Sequence, residues 1–193
     1  MKLDKQSAFP PFQLNGCHYD LSHLNAFYWV FRQAAKGVLG EKIYRCVIEF
    51  SHHCFSKSPN IHKGETLADY DKSLHYVTDK ETRIFDMQRY HLSQQLPAIL
   101  RNMDKQKCYF TSADDKFMTV SLQQLDGSMI DYEIYFSLKK SKKYDVHIFI
   151  NSAYARDEQY KHQQGQRPIR RKPISFFVLL HNTLANKKIK RPK

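Results

Sequence analysis

Alternation of apolar and polar positions is clearest in the second half of the chain. In MIDYEIYFSL, Ile130, Tyr132, Ile134, Phe136 and Leu138 fall on one side, with Asp131, Glu133, Tyr135 and Ser137 on the other. That two-residue period belongs to a strand buried on one face. YDVHIFINSAY repeats it, with Tyr144, Val146, Ile148 and Ile150 inward and His147, Phe149 and Asn151 on the opposite face. KIYRCVIEF sets Tyr44, Cys46, Ile48 and Phe50 against Arg45 and Glu49. KFMTVSLQQL precedes MIDYEIYFSL across Asp126-Gly127, and FQLNGCHYDL holds Asn15-Gly16, the dipeptide that suits a two-residue hairpin turn. AFYWVFRQAA is aromatic and β-branched; it reads as a strand, with a buried helix over residues 26–35 as the alternative. ISFFVLLHNTL is apolar on both faces and reads as a central strand.

The period changes at Thr82. Ile84, Met87, His91 or Leu92, Leu96, Ile99, Leu100 and Met103 recur at helical spacing, so residues 81–104 are expected to form a helix of about three turns and a second short helix beginning near Pro97. Residues 56–80 are polar and without sustained period, which predicts a long loop or a pair of short turns. The expected organisation is a single domain: hairpin and strands over 1–55, the loop over 56–80, the helical segment over 81–104, an antiparallel meander over 108–185 and a frayed basic tail over 186–193. The fold class is α+β, a largely antiparallel five- to seven-stranded sheet with one or two helices packed on one face.

Composition adds a partner to this picture. The 193 residues carry 31 Lys and Arg against 19 Asp and Glu, a formal net charge of +12, and such an excess draws in polyanions. Nucleic acid, RNA or single-stranded DNA, is the expected partner, with an acidic protein as the other candidate and a merely solvated basic surface as the structural alternative. Cys17, Cys46, Cys54 and Cys108 have no C-x-x-C spacing, and the sequence shows no secretory leader, so reduced thiols and a cytoplasmic location are expected. No apolar run is long enough for a bilayer, so no membrane association is expected.

Candidate chemistry centres on two places. In EFSHHCFSK, strand alternation would send His52 and Cys54 one way and His53 the other, so the three could not grip one metal. The expectation is no metal and no cofactor. Acid–base chemistry remains: His53, His147 and His181 are candidate proton carriers for RNA cleavage, with Arg156 to stabilise charge on phosphorus. The structural alternative makes these histidines hydrogen-bonded sheet-edge residues. The second place runs from Asn151 to Lys172, where Tyr154, Lys161, Arg167, Arg170, Arg171 and Lys172 interleave cations with rings that could stack on bases. On the helical segment, His91 reads as a satisfied core histidine.

No phosphate loop, dinucleotide fingerprint, H-E-x-x-H or G-x-S-x-G motif is present, and six glycines leave little material for a nucleotide cradle. The order of elements, helices followed by an antiparallel meander in a basic domain, is similar to that of metal-independent ribonuclease toxins of the RelE and barnase type, with no residue carried to a matched position. The functional expectation is a basic nucleic-acid-directed protein, including a metal-independent ribonuclease of toxin or mobile-element defence type. A non-catalytic nucleic-acid- or protein-binding module of a larger complex is the second candidate.

Overall fold

The two-sided runs find one another in a seven-stranded sheet. The computed structural model describes residues 9–38, 40–111, 116–123, 127–155 and 172–190. Its strands are β1 (Phe12–Leu14), β2 (Cys17–Tyr19), β3 (Phe27–Gln33), β4 (Lys42–Phe50), β5 (Ser56–Lys57), β6 (His75–Val77), β7 (Thr82–Phe85), β8 (Lys107–Phe110), β9 (Lys116–Gln123), β10 (Met129–Lys140), β11 (Val146–Ala155) and β12 (Ile174–Ser175). Its α-helices are α1 (Met87–Ser93), α2 (Leu96–Leu100) and α3 (Phe176–Leu184). The large sheet has the order β12-β8-β9-β10-β11-β4-β3, and β5-β7-β6 forms a smaller one. The fold is α+β, a single domain.

Register follows burial. β10 pairs antiparallel with both β9 and β11, and Ile134, Phe136, Ile148 and Ile150 are fully buried on the face that receives the helices. Residues 26–35 resolve as strand: β3 pairs antiparallel with β4 from Phe27↔Ile48 to Gln33↔Lys42. β1 and β2 form the expected hairpin, with Asn15 and Gly16 at φ 50° and 77°, the left-handed conformation this turn demands. The sheet is mixed, because β11 and β4 pair in parallel from Val146↔Cys46 to Ile150↔Phe50.

Several expectations are corrected. ISFFVLLHNTL is no central strand; only Ile174 and Ser175 pair, with β8, and the rest is α3. Phe176, Leu179 and Leu180 are buried at helical spacing, while Val178 is 44% exposed, so the run has a helical inner face that uniform apolarity concealed. Thr82–Phe85 is strand β7, with Arg83, Ile84 and Phe85 buried in succession, and a strand enclosed on both faces shows no alternation. α1 therefore starts only at Met87, where the Asp86 carboxylate accepts from the Arg89 backbone N–H at 2.9 Å. Residues 56–80, expected as a long loop or a pair of short turns, hold three 3-10 turns at Ile61–Lys63, Leu67–Asp69 and Lys72–Leu74 with the short strands β5 and β6, elements too short to show a period. The described part of the tail does not fray, since Ile189 packs against the core.

α3 lies across β10 and β11, its Phe176 ring edge-on to Phe31 with centroids 4.9 Å apart. α1 packs near β11 and the turn that follows β4. Among the described residues no helix is long and apolar enough to cross a membrane.

Candidate functional site

After Phe50 the chain leaves the sheet. Ser51 keeps extended backbone and its hydroxyl accepts from the His53 N–H at 3.2 Å; His52–Cys54 then form one 3-10 turn, closed by Phe55 N–H to His52 O at 3.2 Å. Three residues per turn replace two per strand repeat, so alternation no longer decides direction. Cys54 turns into the core, fully buried, and burial pushes its thiol up to about 12, which leaves it an inert packing group. The two histidines turn outward together, contrary to the strand expectation. Their rings meet edge to face at 4.7 Å, and both Nε2 atoms reach one oxygen, Glu81 Oε1, at 2.9 Å from His52 and 2.8 Å from His53.

Glu81 comes from the turn between β6 and β7, where Thr78 Oγ1 accepts from the Glu81 N–H at 3.1 Å. Its second oxygen accepts from Arg83 Nη1 at 3.1 Å. Arg83 is buried and also donates to Ser56 Oγ at 3.0 Å and Ser58 Oγ at 2.8 Å. From the other side, Arg89 Nη1 donates to the carbonyls of His53 at 3.1 Å and Ser56 at 2.8 Å. Burial lowers the Arg89 pKa, with the charge of Asp86 opposing it. The side chains of His52, His53 and Glu81 remain 19%, 35% and 37% exposed, so the group opens to solvent on a rigid back.

The electrostatics fix the charge states. Burial would raise the Glu81 carboxyl, but hydrogen bonds from His53, His52 and Arg83, with the Arg83 charge, outweigh it and bring the pKa down to about 2. Burial lowers the His53 pKa more strongly than its hydrogen bond to Glu81 raises it. At neutral pH the pair is thus a carboxylate accepting from a neutral imidazole.

A pH dependence of stability follows. Both folded pKa values lie below the unfolded ones, so both groups stabilise the fold at high pH. The His53 contribution is lost as pH falls from 6.5 through its folded pKa, and the Glu81 contribution as pH falls from 4.5 toward about 2. With Glu81 partly exposed, solvent screening reduces its share to about 1 kcal/mol. Glu81→Gln is expected to cost that amount in urea unfolding at neutral pH, with the difference from wild type shrinking at about pH 3.

The other expected site residues do not join this group. His147 Nε2 lies 2.9 Å from Glu49 Oε2 across β11 and β4, close enough for attraction but not aligned as a hydrogen bond. His181 is exposed on α3, and His91 is exposed rather than in the core. Tyr154 stacks on Tyr135 at 5.5 Å and an angle of 14°, with the Arg89 guanidinium 5.0 Å from its ring centre, so part of the ring expected to receive bases is already covered. Lys172 is exposed just before β12. Arg156, Lys161, Arg167, Arg170 and Arg171 lie outside the described residues. Glu81 and Arg83 carry no signal of their own in the sequence, because they fall within the stretch whose spacing reads as helix.

A second feature is a cleft of about 390 Å³ where the end of α3 meets β9 and β10. Lys116, Lys139, Lys140, Lys187 and Lys188 line it with Asn182, Thr183 and Asn186, and among the described residues no carboxylate lines it. The α3 C-terminus supplies about half a negative charge there, which five ammonium groups far exceed. Among the described residues, none of the five is in an ion pair. Lys142, Lys143 and Lys190 are exposed in the segments that flank it in sequence.

Comparison with known proteins adds a family. The family model described as YjaZ family matches residues 11–184. The chain is similar to Protein YjaZ of Escherichia coli (strain K12), 29% identical over 174 residues that span 90% of this chain and 88% of that protein. No solved structure matches it.

Proposed function

We infer that this chain, which belongs to the YjaZ family, binds nucleic acid at the lysine cleft. The observation that carries the reading is the charge geometry: five lysines around one cleft with no carboxylate among its described lining residues, in a chain of net charge +12. Ammonium groups held together at a surface release counterions when they meet a phosphate backbone, and this supplies affinity without base recognition. Three of the lysines lie within the span matched by the family, while Lys187 and Lys188 come from the tail beyond it. The proposal takes the binding half of the sequence expectation. The candidate acid–base residues have separate partners, His53 with Glu81 and His147 with Glu49, so ribonuclease chemistry is not carried forward with it.

Affinity for a short single-stranded oligonucleotide is expected to fall steeply with salt. The double variant Lys139→Glu, Lys187→Glu should weaken binding at least about tenfold at low salt and reduce the slope of log affinity against log salt by about 0.7 for each phosphate no longer neutralised. Its melting temperature should match wild type, because both side chains are exposed. Unchanged affinity and slope would remove the cleft from the interface. Tighter binding to polyglutamate than to the oligonucleotide would move the reading to an acidic protein partner.

A further inference from the structure

We propose that His52, His53 and Glu81 form a binding site for a divalent transition-metal ion of the zinc class. The three donor atoms lie within 4.8 Å of one another, and both imidazoles aim the same nitrogen at the same carboxylate oxygen. Each ring has this oxygen as its side-chain partner, and the two share it. Two imidazoles and a carboxylate converging on one point, from a 3-10 turn and a separate hairpin, form a ligand set.

The geometry is close to what an ion requires. Ligands at zinc distances in a tetrahedron stand about 3.3 Å apart, so the present Nε2···Oε1 separations need to open by only about half an ångström. Rotamer adjustment of half-exposed side chains supplies that. The remaining positions around such an ion face solvent, as in zinc sites with three protein ligands and a water. Two imidazoles suit zinc, copper, iron or nickel, whereas magnesium and calcium favour oxygen donors and would find only Glu81.

The surroundings do what an outer shell does. Arg83 holds the Glu81 oxygen that does not face the histidines, and two serine hydroxyls hold Arg83. Arg89 fixes the backbone of His53. Ligation uses the lone pair of Nε2, so a ring whose Nε2 carries the proton changes to the Nδ1–H tautomer as the ion binds. Arg83 places one positive charge near the site, which offsets the charge of Glu81 and weakens binding without blocking the donor atoms.

The test uses full-length protein without an affinity tag, stripped with chelator and titrated with zinc near neutral pH in a calorimeter. One equivalent should bind and raise the melting temperature, while magnesium at the same concentration gives no heat. His53→Ala and Glu81→Gln should each weaken zinc binding at least about a hundredfold, a loss at or above the upper end of what removing an outer-shell partner causes. X-ray absorption at the zinc edge should show imidazole nitrogen and carboxylate oxygen around the ion, a readout that needs no variant to fold. Absence of zinc binding, undiminished affinity in both variants, or sulfur in the coordination shell would each overturn the site. The lysine cleft shares none of these residues, so the Lys139→Glu, Lys187→Glu protein should bind zinc as wild type does.

Discussion

Phe176→Ala is expected to lower the free energy of unfolding by about 3–5 kcal/mol. The Phe176 ring is fully buried and sits edge-on to Phe31 of β3 at 4.9 Å and to Phe136 of β10 at 6.4 Å. It therefore joins α3 to two strands that are not neighbours in the sheet. Removing it loses the transfer energy of the ring and leaves a cavity that a sheet on one side and a helix on the other cannot close. The shift in urea midpoint at constant slope measures it. Phe176→Leu should recover much of the loss by refilling most of the volume. Because α3 also carries part of the lysine cleft, the Ala variant should lose oligonucleotide binding on mild warming, before wild type does.

Arg89→Ala should cost about 3 kcal/mol. Arg89 donates to two carbonyls, His53 O and Ser56 O, and hydrogen bonds from a charged donor are worth about 1.5–3 kcal/mol each. The variant would leave both acceptors without this donor, and part of the cost is offset because a largely buried cation no longer has to be desolvated. Arg89→Lys is expected to recover only part of the loss, since both bonds come from one Nη1 nitrogen held in a rigid guanidinium plane, whereas an ammonium sits on a flexible stem. The measurement is again equilibrium unfolding, accompanied by amide exchange at Cys54 and Phe55. These two N–H groups close the histidine turn on Ser51 O and His52 O, and their protection should fall in the variant more than that of the sheet.

The elements that are legible in the sequence share one property: each has one face in the core and one outside. β4, β10 and β11 alternate because they are so placed, and the Asn15-Gly16 turn is dictated by φ values that only a few residues tolerate. Where an element is enclosed on both sides, the pattern vanishes. Thr82–Phe85 misleads for that reason, a strand that reads as helix, whereas the helix Phe176–Leu184 reads as strand because its outward side is apolar too, with Val178 44% exposed. Apolar residues on every side carry no period from which to choose.

The sequence by itself determined the class of fold, the core faces of the long strands, the first hairpin and a net charge that favours an anionic partner. Only the tertiary structure decided what meets what. The parallel pairing of β11 with β4 is tied at its start by Arg45 and Asp145, one hundred positions apart. His53 and Glu81 are separated by 28 positions and by three turns whose geometry no local pattern encodes. The cleft joins lysines from β9, β10 and the tail, which the sequence showed only as separate charge runs. Local rules govern a residue's backbone and its two faces. Convergence of side chains depends on how the chain closes long loops, a choice made by the burial of the whole core rather than by the residues that end up side by side.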